Sequence, residues 1–323
     1  MAGAGPIHVL TLADDRYAMQ VAVLVRSLLE HHSSNRLLSI KIVDGGFSAE
    51  NRVRLNQSWQ GATQNPARWE FVPPSLGMDE QAFPASGRIP VLTYARFMLN
   101  DYFSRNEERT VVLDSDTLAL TDIAGLHDVE LGTAAIGACV DPFIPTVSSI
   151  GGLADWQRLA LAADTPYFNA GVMVVDLVRW NEMRVGPRAL DFTLRQSQRL
   201  QHYDQDGLNS VLSGHWKATD SRWQTHPRLK NSLGQELPHD PWMLHFSGRL
   251  KPWLYPAGGP ADQLFFECLD RTAWRGFRHS GGLSSLAYRL YDSPLRRITH
   301  PLEKRILAWH KTVRSIRRGK TSG

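Results

Sequence analysis

With 323 residues, 42% hydrophobic and 21% charged, the chain can bury a sizeable core and reads as globular, not disordered or fibrous. Its net charge of +4 is uneven: nine Lys/Arg and one acid, Glu303, lie from Ser293 onward, so that stretch carries 9 − 1 = +8 and the remainder 4 − 8 = −4. A mildly acidic body with a basic end argues against a general nucleic-acid binder, and two cysteines, Cys139 and Cys268, give neither a disulfide framework nor a zinc pattern.

Ile7 to Ala13 is an apolar run closed by Asp14-Asp15, the pattern of a buried strand entering a loop. Tyr17 to His32 has apolar residues at helical spacing (Val21, Leu24, Val25, Leu28, Leu29). Leu38 to Val43 is a second strand, and a helix should follow from Ser48, an N-cap with Glu50 in the first turn. Trp69 to Val72 reads as a third strand, Val91 to Phe103 as a helix, and Thr110 to Leu113 as a fourth strand. Ala134 to Val140 and Gly171 to Val175 are strand-like, Pro187 to Leu200 and Gly207 to Leu212 helical, and Trp242 to Phe246 a last apolar segment. Strands alternating with helices predict an α/β fold with a mostly parallel central sheet, where ligands bind beyond the carboxyl ends of the strands. Asp14, Asp44 and Asp114 all fall at such ends. The expected organisation is a nucleotide-binding domain over residues 1–260 and a helical, basic extension over 261–323.

Thr110-Val-Val-Leu-Asp-Ser-Asp-Thr117 puts Asp114 and Asp116 on one side of an extended chain. Two adjacent carboxylates are tolerable if water screens them, if one is protonated, or if a cation bridges them. The plainest reading is a solvated loop. A second is the nucleophile and general acid of a haloacid-dehalogenase-type phosphatase, though there the motif sits on the first strand and here it follows a fourth. A third is a Mn²⁺ or Mg²⁺ site for a nucleotide diphosphate.

Six stretches occur in order: Thr11–Ala18 (TLADDRYA), Thr93–Phe97 (TYARF), Val111–Asp116 (VVLDSD), Tyr167–Leu177 (YFNAGVMVVDL), Asp204–Asn209 (DQDGLN) and His245–Trp253 (HFSGRLKPW). Together they closely resemble the family 8 retaining glycosyltransferases, over roughly residues 7 to 255. The resemblance implies a GT-A fold and a retaining transfer of galactose or glucose from a UDP-sugar to a saccharide or glycolipid, as in lipopolysaccharide synthesis. It makes Asp114, Asp116 and His245 the ligands of Mn²⁺, with Mg²⁺ as the alternative, because neutral imidazole suits Mn²⁺. Leu12, Ala13, Asp14 and Tyr17 become the nucleoside end, with Arg16 a departure where similar members often carry Asn. Arg96, Ser115, Asn169, Ala170, Asp204 and Gln205 fall around the donor sugar, and Gly248 and Lys251 against the diphosphate. Gln205 matches the residue below the anomeric carbon. An amide is a poor nucleophile, so front-face attack is preferred and Asp204 is the fallback nucleophile. A silent binding relative is the remaining alternative.

From Pro301 to Ile316, Leu302, Ile306, Trp309, Val313 and Ile316 form an apolar stripe with Lys304, Arg305, Lys311 and Arg314 off it. That pattern suits a helix lying on an anionic membrane, or a helix packed on its own domain. The cysteine usage, the absence of a signal-like start and of a bilayer-length apolar run lead us to expect a cytoplasmic protein, peripheral on the inner face of the membrane if the tail binds it.

Overall fold

The computed structural model describes residues 5–77, 91–197, 199–227, 240–248, 251–254 and 259–279. The chain divides into two units: Met1–Ser247 with Gln263–Phe277, and Gly248–Asp262 with Arg278–Gly323.

Strand β1 (Ile7–Ala13) is buried at every position, as a central strand covered on both faces must be. A 3-10 turn, Asp15–Tyr17, leads into α1 (Ala18–Glu30), buried almost all round. Strand β2 (Leu38–Asp44) is followed by α2 (Ala49–Trp59), which the Ser48 hydroxyl caps by accepting the Asn51 N–H at 3.2 Å. Strand β3 (Ala67–Val72) completes the first half.

The helix predicted over Val91–Phe103 is instead a 3-10 run, Val91–Met98, and one α turn, α3 (Leu99–Tyr102). Every side chain from Leu92 to Phe97 is buried. Packing on all sides, not an amphipathic stripe, sets its winding. Strand β4 (Arg109–Asp114) then turns into the short β5 (Thr117–Ala119), followed by α4 (Ala124–His127) and β6 (Ile136–Val140). Strand β7 (Phe168–Asp176) leads to α5 (Leu177–Glu182), α6 (Val185–Arg195) and α7 (Asp204–Leu212). Strand β8 (Trp216–Ala218), a 3-10 turn at Ser221–Gln224, β9 (Met243–His245) and α8 (Pro260–Leu269) follow.

The main sheet runs β3-β2-β1-β4-β7-β6-β8, while β5 and β9 form a separate pair. Its pairs are parallel except where β7 meets β4 and β6, so the expected mostly parallel sheet contains one reversed strand. That reversal positions the site. With Leu113 opposite Val172, the first residues of β7 lie beside the last residue of β4. Alternation divides the core: Val9, Val111 and Leu113 pack on the α1 side, and Leu10, Val112 and Met173 pack with Phe97 and Trp180 on the other. No described helix is long and apolar enough to cross a membrane.

Candidate active site

The registers of β1 with β2 and β4 pair Ala13 with Asp44 and Leu12 with Asp114, so the three carboxyl ends line up. Asp44 is consumed locally: its Oδ1 accepts the N–H groups of Gly46 and Phe47 at 2.8 and 2.7 Å, shaping the turn into α2. Asp114 ends β4, Ser115 and Asp116 form the turn, and β5 returns against β9 with Thr117 opposite His245. The Phe246 N–H donates to the Asp116 carbonyl at 2.9 Å, clamping the two segments together. His245 Nε2 consequently lies 3.6 Å from Asp114 Oδ2 and 3.3 Å from Asp116 Oδ1, with the ring 3% exposed. One ligand atom from each of the three residues lies within 4.8 Å of the others.

Gly171 opens the space for this cluster. A Cβ there would lie 2.3 Å from His245 Cε1 and 2.8 Å from Asp114 Oδ2. Two carboxylates and an imidazole are a donor set suited to a borderline divalent cation such as Mn²⁺ and usable by Mg²⁺. The surroundings fit such a group: the Gln224 amide beside His245 has a buried oxygen, Oε1, with no hydrogen-bond partner among the described residues.

Arg96 ties this cluster to the start of α7. It is 4% exposed and donates from Nη2 to Asp114 Oδ1 at 2.6 Å and from Nη1 to the Ala170 carbonyl at 3.0 Å. Its Nε lies 3.0 Å from Asp204 Oδ2. Burial works against its charge, but Asp204 and Asp114 hold the guanidinium above its ordinary pKa. Burial raises the Asp204 carboxyl, opposed by Arg96.

Gln205, the next residue, is held at both ends of its amide. Its Oε1 accepts the Ala170 N–H at 3.0 Å and its Nε2 donates to Asp141 Oδ2, also at 3.0 Å. Asp141 carries no motif and the sequence reading passed over it. It is buried, accepts Asn169 Nδ2 at 2.8 Å on the same oxygen, and receives the Phe143 and Ile144 N–H groups at 2.8 and 3.1 Å on the other. Gln224 and His226, also passed over, flank His245. Burial, reinforced by the neighbouring His245, pushes the His226 imidazole down to about 3, so it is a neutral ring bonded through Nδ1 to the Ser247 hydroxyl at 2.8 Å.

At the end of β1, Leu12 and Ala13 are buried and Tyr17 closes the following 3-10 turn. Asp14 is engaged by Arg16, whose backbone N–H and Nε donate at 3.0 Å and whose Nη2 donates at 2.6 Å. Gly248 and Lys251 belong to the second unit, where Gly248 has φ +78° and the Lys251 ammonium sits 5.4 Å from the Trp253 ring centroid. The tail stripe from Leu302 to Ile316 lies outside the described residues.

The model of glycosyl transferase family 8 matches residues 8–257. General stress protein A of Bacillus subtilis is 26% identical over 282 residues, covering 83% of this chain and 94% of that protein. The lipopolysaccharide 1,3-galactosyltransferase of Salmonella typhimurium is 26% identical over 205 residues, 60% of this chain and 58% of that one. A crystal structure of the galactosyltransferase LgtC with donor and acceptor sugar analogs superposes with a TM-score of 0.68 at 25% identity, covering 82% of this chain and 96% of that one.

Replacing Arg96 by Met would strand Asp114 and Asp204 without their shared cation. Breaking a buried pair from one side costs about 3–5 kcal/mol. Chemical denaturation of Arg96→Met should show a loss of that size, with Arg96→Lys recovering part of it. An unchanged midpoint in Arg96→Met would show that the two carboxylates do not depend on this residue.

Proposed function

The chain belongs to glycosyl transferase family 8, and on that premise we propose that it moves a hexose, galactose or glucose, from a UDP-sugar to a saccharide or glycolipid with retention at the anomeric carbon. The phosphatase reading of the Asp pair lapses, because the family match spans Asp114 and Asp116. The observation that carries the proposal is the meeting of Asp114, Asp116 and His245 at the carboxyl end of β4, with Arg96 joining Asp114 to Asp204.

Asp114, Asp116 and His245 would hold the divalent cation, which we propose is Mn²⁺. When bound, it supplies charge neutralisation to the diphosphate leaving group. The other roles belong to the protein itself. Asp14, Tyr17 and the end of β1 receive the nucleoside. Gly248 offers a backbone that phosphate oxygens can approach and Lys251 a cation. Asn169, Asp204 and Gln205 surround the sugar, where hydroxyls of the wrong epimer would leave polar groups unpaired.

The hydrogen bonds around Gln205 and Asp204 favour front-face attack over a covalent intermediate. Gln205 Oε1, the only atom of that amide able to attack carbon, already accepts the Ala170 N–H. Asp204 is paired with a buried guanidinium, which lowers the nucleophilicity of its carboxylate. The departing phosphate oxygen then takes the acceptor hydroxyl's proton as that hydroxyl bonds to the anomeric carbon on the face the phosphate leaves.

The basic tail is proposed to bring the enzyme to an anionic membrane carrying a glycolipid acceptor. Its support is the +8 charge and the Leu302–Ile316 stripe. Attraction is worth about 1 kcal/mol per basic residue near the surface and is screened by salt.

UDP release from UDP-galactose or UDP-glucose should require Mn²⁺, disappear in EDTA, and be abolished in Asp116→Ala. Full turnover under either condition would refute the cation assignment, and no turnover of any nucleotide sugar would favour a silent relative. The anomeric proton coupling of the product, read by NMR, should report an α linkage from an α-linked donor; a β linkage would rule out retention. A chain ending at Asp292 should lose sedimentation with anionic vesicles at low salt while still transferring to a soluble acceptor. Full-length protein that ignores those vesicles would end the membrane proposal.

A further inference from the structure

Five side chains form one hydrogen-bonded series beneath the site: Gln205, Asp141, Asn169, Gln224 and His245. The direction of every donor in it follows from one end. A carboxylate only accepts, so Asp141 Oδ2 requires the amino groups of Gln205 and Asn169 to point at it, at 3.0 and 2.8 Å. Asn169 must then turn its amide oxygen away, where it accepts the Gly171 N–H at 2.9 Å and one hydrogen of Gln224 Nε2. The second hydrogen of Gln224 Nε2 is left for His245 Nδ1, at 2.9 Å. Gln224 Oε1 is the atom that loses in this arrangement, buried with no partner among the described residues.

The consequence falls on His245. With Nδ1 accepting, the neutral ring carries its proton on Nε2, the nitrogen that faces Asp114 and Asp116. A histidine that offers Nε2 to a cation needs the opposite tautomer, with Nδ1–H donating to an oxygen behind it. Gln224 holds that oxygen in reserve. A half-turn of its amide places Oε1 against Nδ1, and the ring exchanges a proton on Nε2 for one on Nδ1 with no net gain or loss. Because the single atom Gln224 Nε2 serves both Asn169 Oδ1 and His245 Nδ1, the same half-turn sets Oε1 against Asn169 Oδ1 as well, and these two acceptors must move apart for the new arrangement to form.

We propose that Gln224 is a positioning residue that sets which imidazole nitrogen of His245 is available to a cation. This rests on the cation reading given above, and its test separates the two. The probes are Mn²⁺ alone, titrated calorimetrically into the full chain without nucleotide sugar, and the ¹⁵N shifts of the His245 ring in metal-free protein. Gln224→Met keeps the side chain's length and removes its hydrogen bonds. Gln224→Glu offers only acceptors to Nδ1. The wild-type ring should be Nε2-protonated without metal, and Gln224→Glu should move that proton to Nδ1. Gln224→Met should weaken Mn²⁺ binding by about 10–100-fold, the usual consequence of losing the group behind a ligating histidine. Gln224→Glu should bind at least as tightly as wild type.

Equal Mn²⁺ affinity in wild type and Gln224→Met, or equal losses in both variants, would overturn the inference while leaving the cation site standing. If wild type binds no Mn²⁺, or Asp116→Ala binds it as well as wild type, the cation reading falls and this inference with it. Should Gln224→Met fail to fold, Gln224→Glu decides alone: an Nδ1-protonated ring with retained binding supports the role, and an unmoved ring proton refutes it.

Discussion

A guanidinium buried between two carboxylates is the constraint on which the rest of the site depends. Asp114 belongs to the sheet and Asp204 to α7, and Arg96 holds both while also bonding the start of strand β7 through the Ala170 carbonyl. Buried pairs of this kind add little net stability, because desolvation consumes most of the attraction. What Arg96 contributes is geometry. Its planar fork fixes the angle between the carboxylates in a way an ammonium would not. The 3-10 winding serves the same end. It sets Thr93 and Arg96 on one edge, three residues apart, and both engage Asp204.

The start of α7 is held there at a local cost. Tyr203, the residue before Asp204, has φ +44° and ψ −99°, a conformation that costs of order 1–3 kcal/mol for a side-chain-bearing residue. Burial of Leu208 and Leu212 offsets it, and so does the close approach of α7 to α6. At Gly207 a Cβ would come within 2.5 Å of Thr193 Oγ1 and 3.0 Å of the Ala189 carbonyl. The helix is pressed inward far enough that Asp204 reaches Arg96 and Gln205 reaches Ala170 on β7. A relaxed Tyr203 would turn the chain out of that position, so the strain accompanies the placement of Asp204 and Gln205.

Elements with a one-dimensional signature were legible in the sequence. Strands β1, β2 and β4 are short, mainly apolar segments that run into aspartates, the Asp pair begins at the last residue of β4, and Ser48 caps α2 as its type and place imply. Three-dimensional constraints were not. The reversal of β7 is set by the pairing Leu113–Val172, which no local spacing encodes. The 3-10 run at Val91–Met98 carries apolar residues suited to a helix, and only their burial on all sides separates the two. Asp141 and Gln224 matter through hydrogen bonds to residues 28 and 55 positions away in Asn169, a distance at which one sequence gives no signal. Gly171 lies inside the Tyr167–Leu177 segment, yet its reason for being glycine appears only when His245 arrives from β9.

Arg16 is a local departure from the pattern of the family and pairs with Asp14. Its guanidinium occupies the carboxylate that, by resemblance, accepts the uracil ring N–H, which at first sight closes the base site. The magnitudes argue otherwise. The Arg16 side chain is 71% exposed, and an ion pair in such a setting contributes less than about 1 kcal/mol after screening and side-chain entropy. The backbone N–H of Arg16 on Asp14 Oδ1, by contrast, is part of the turn and stays whatever the side chain does. A base entering the proposed site would compete only for Oδ2, against a weakly held, exposed partner. The displaced guanidinium remains beside it, a planar cation with five donors and no acceptor. A pyrimidine with carbonyl oxygens on both sides of its ring N–H would satisfy the freed acceptor and those donors together, so the Arg16–Asp14 pairing does not conflict with the uridine site proposed above.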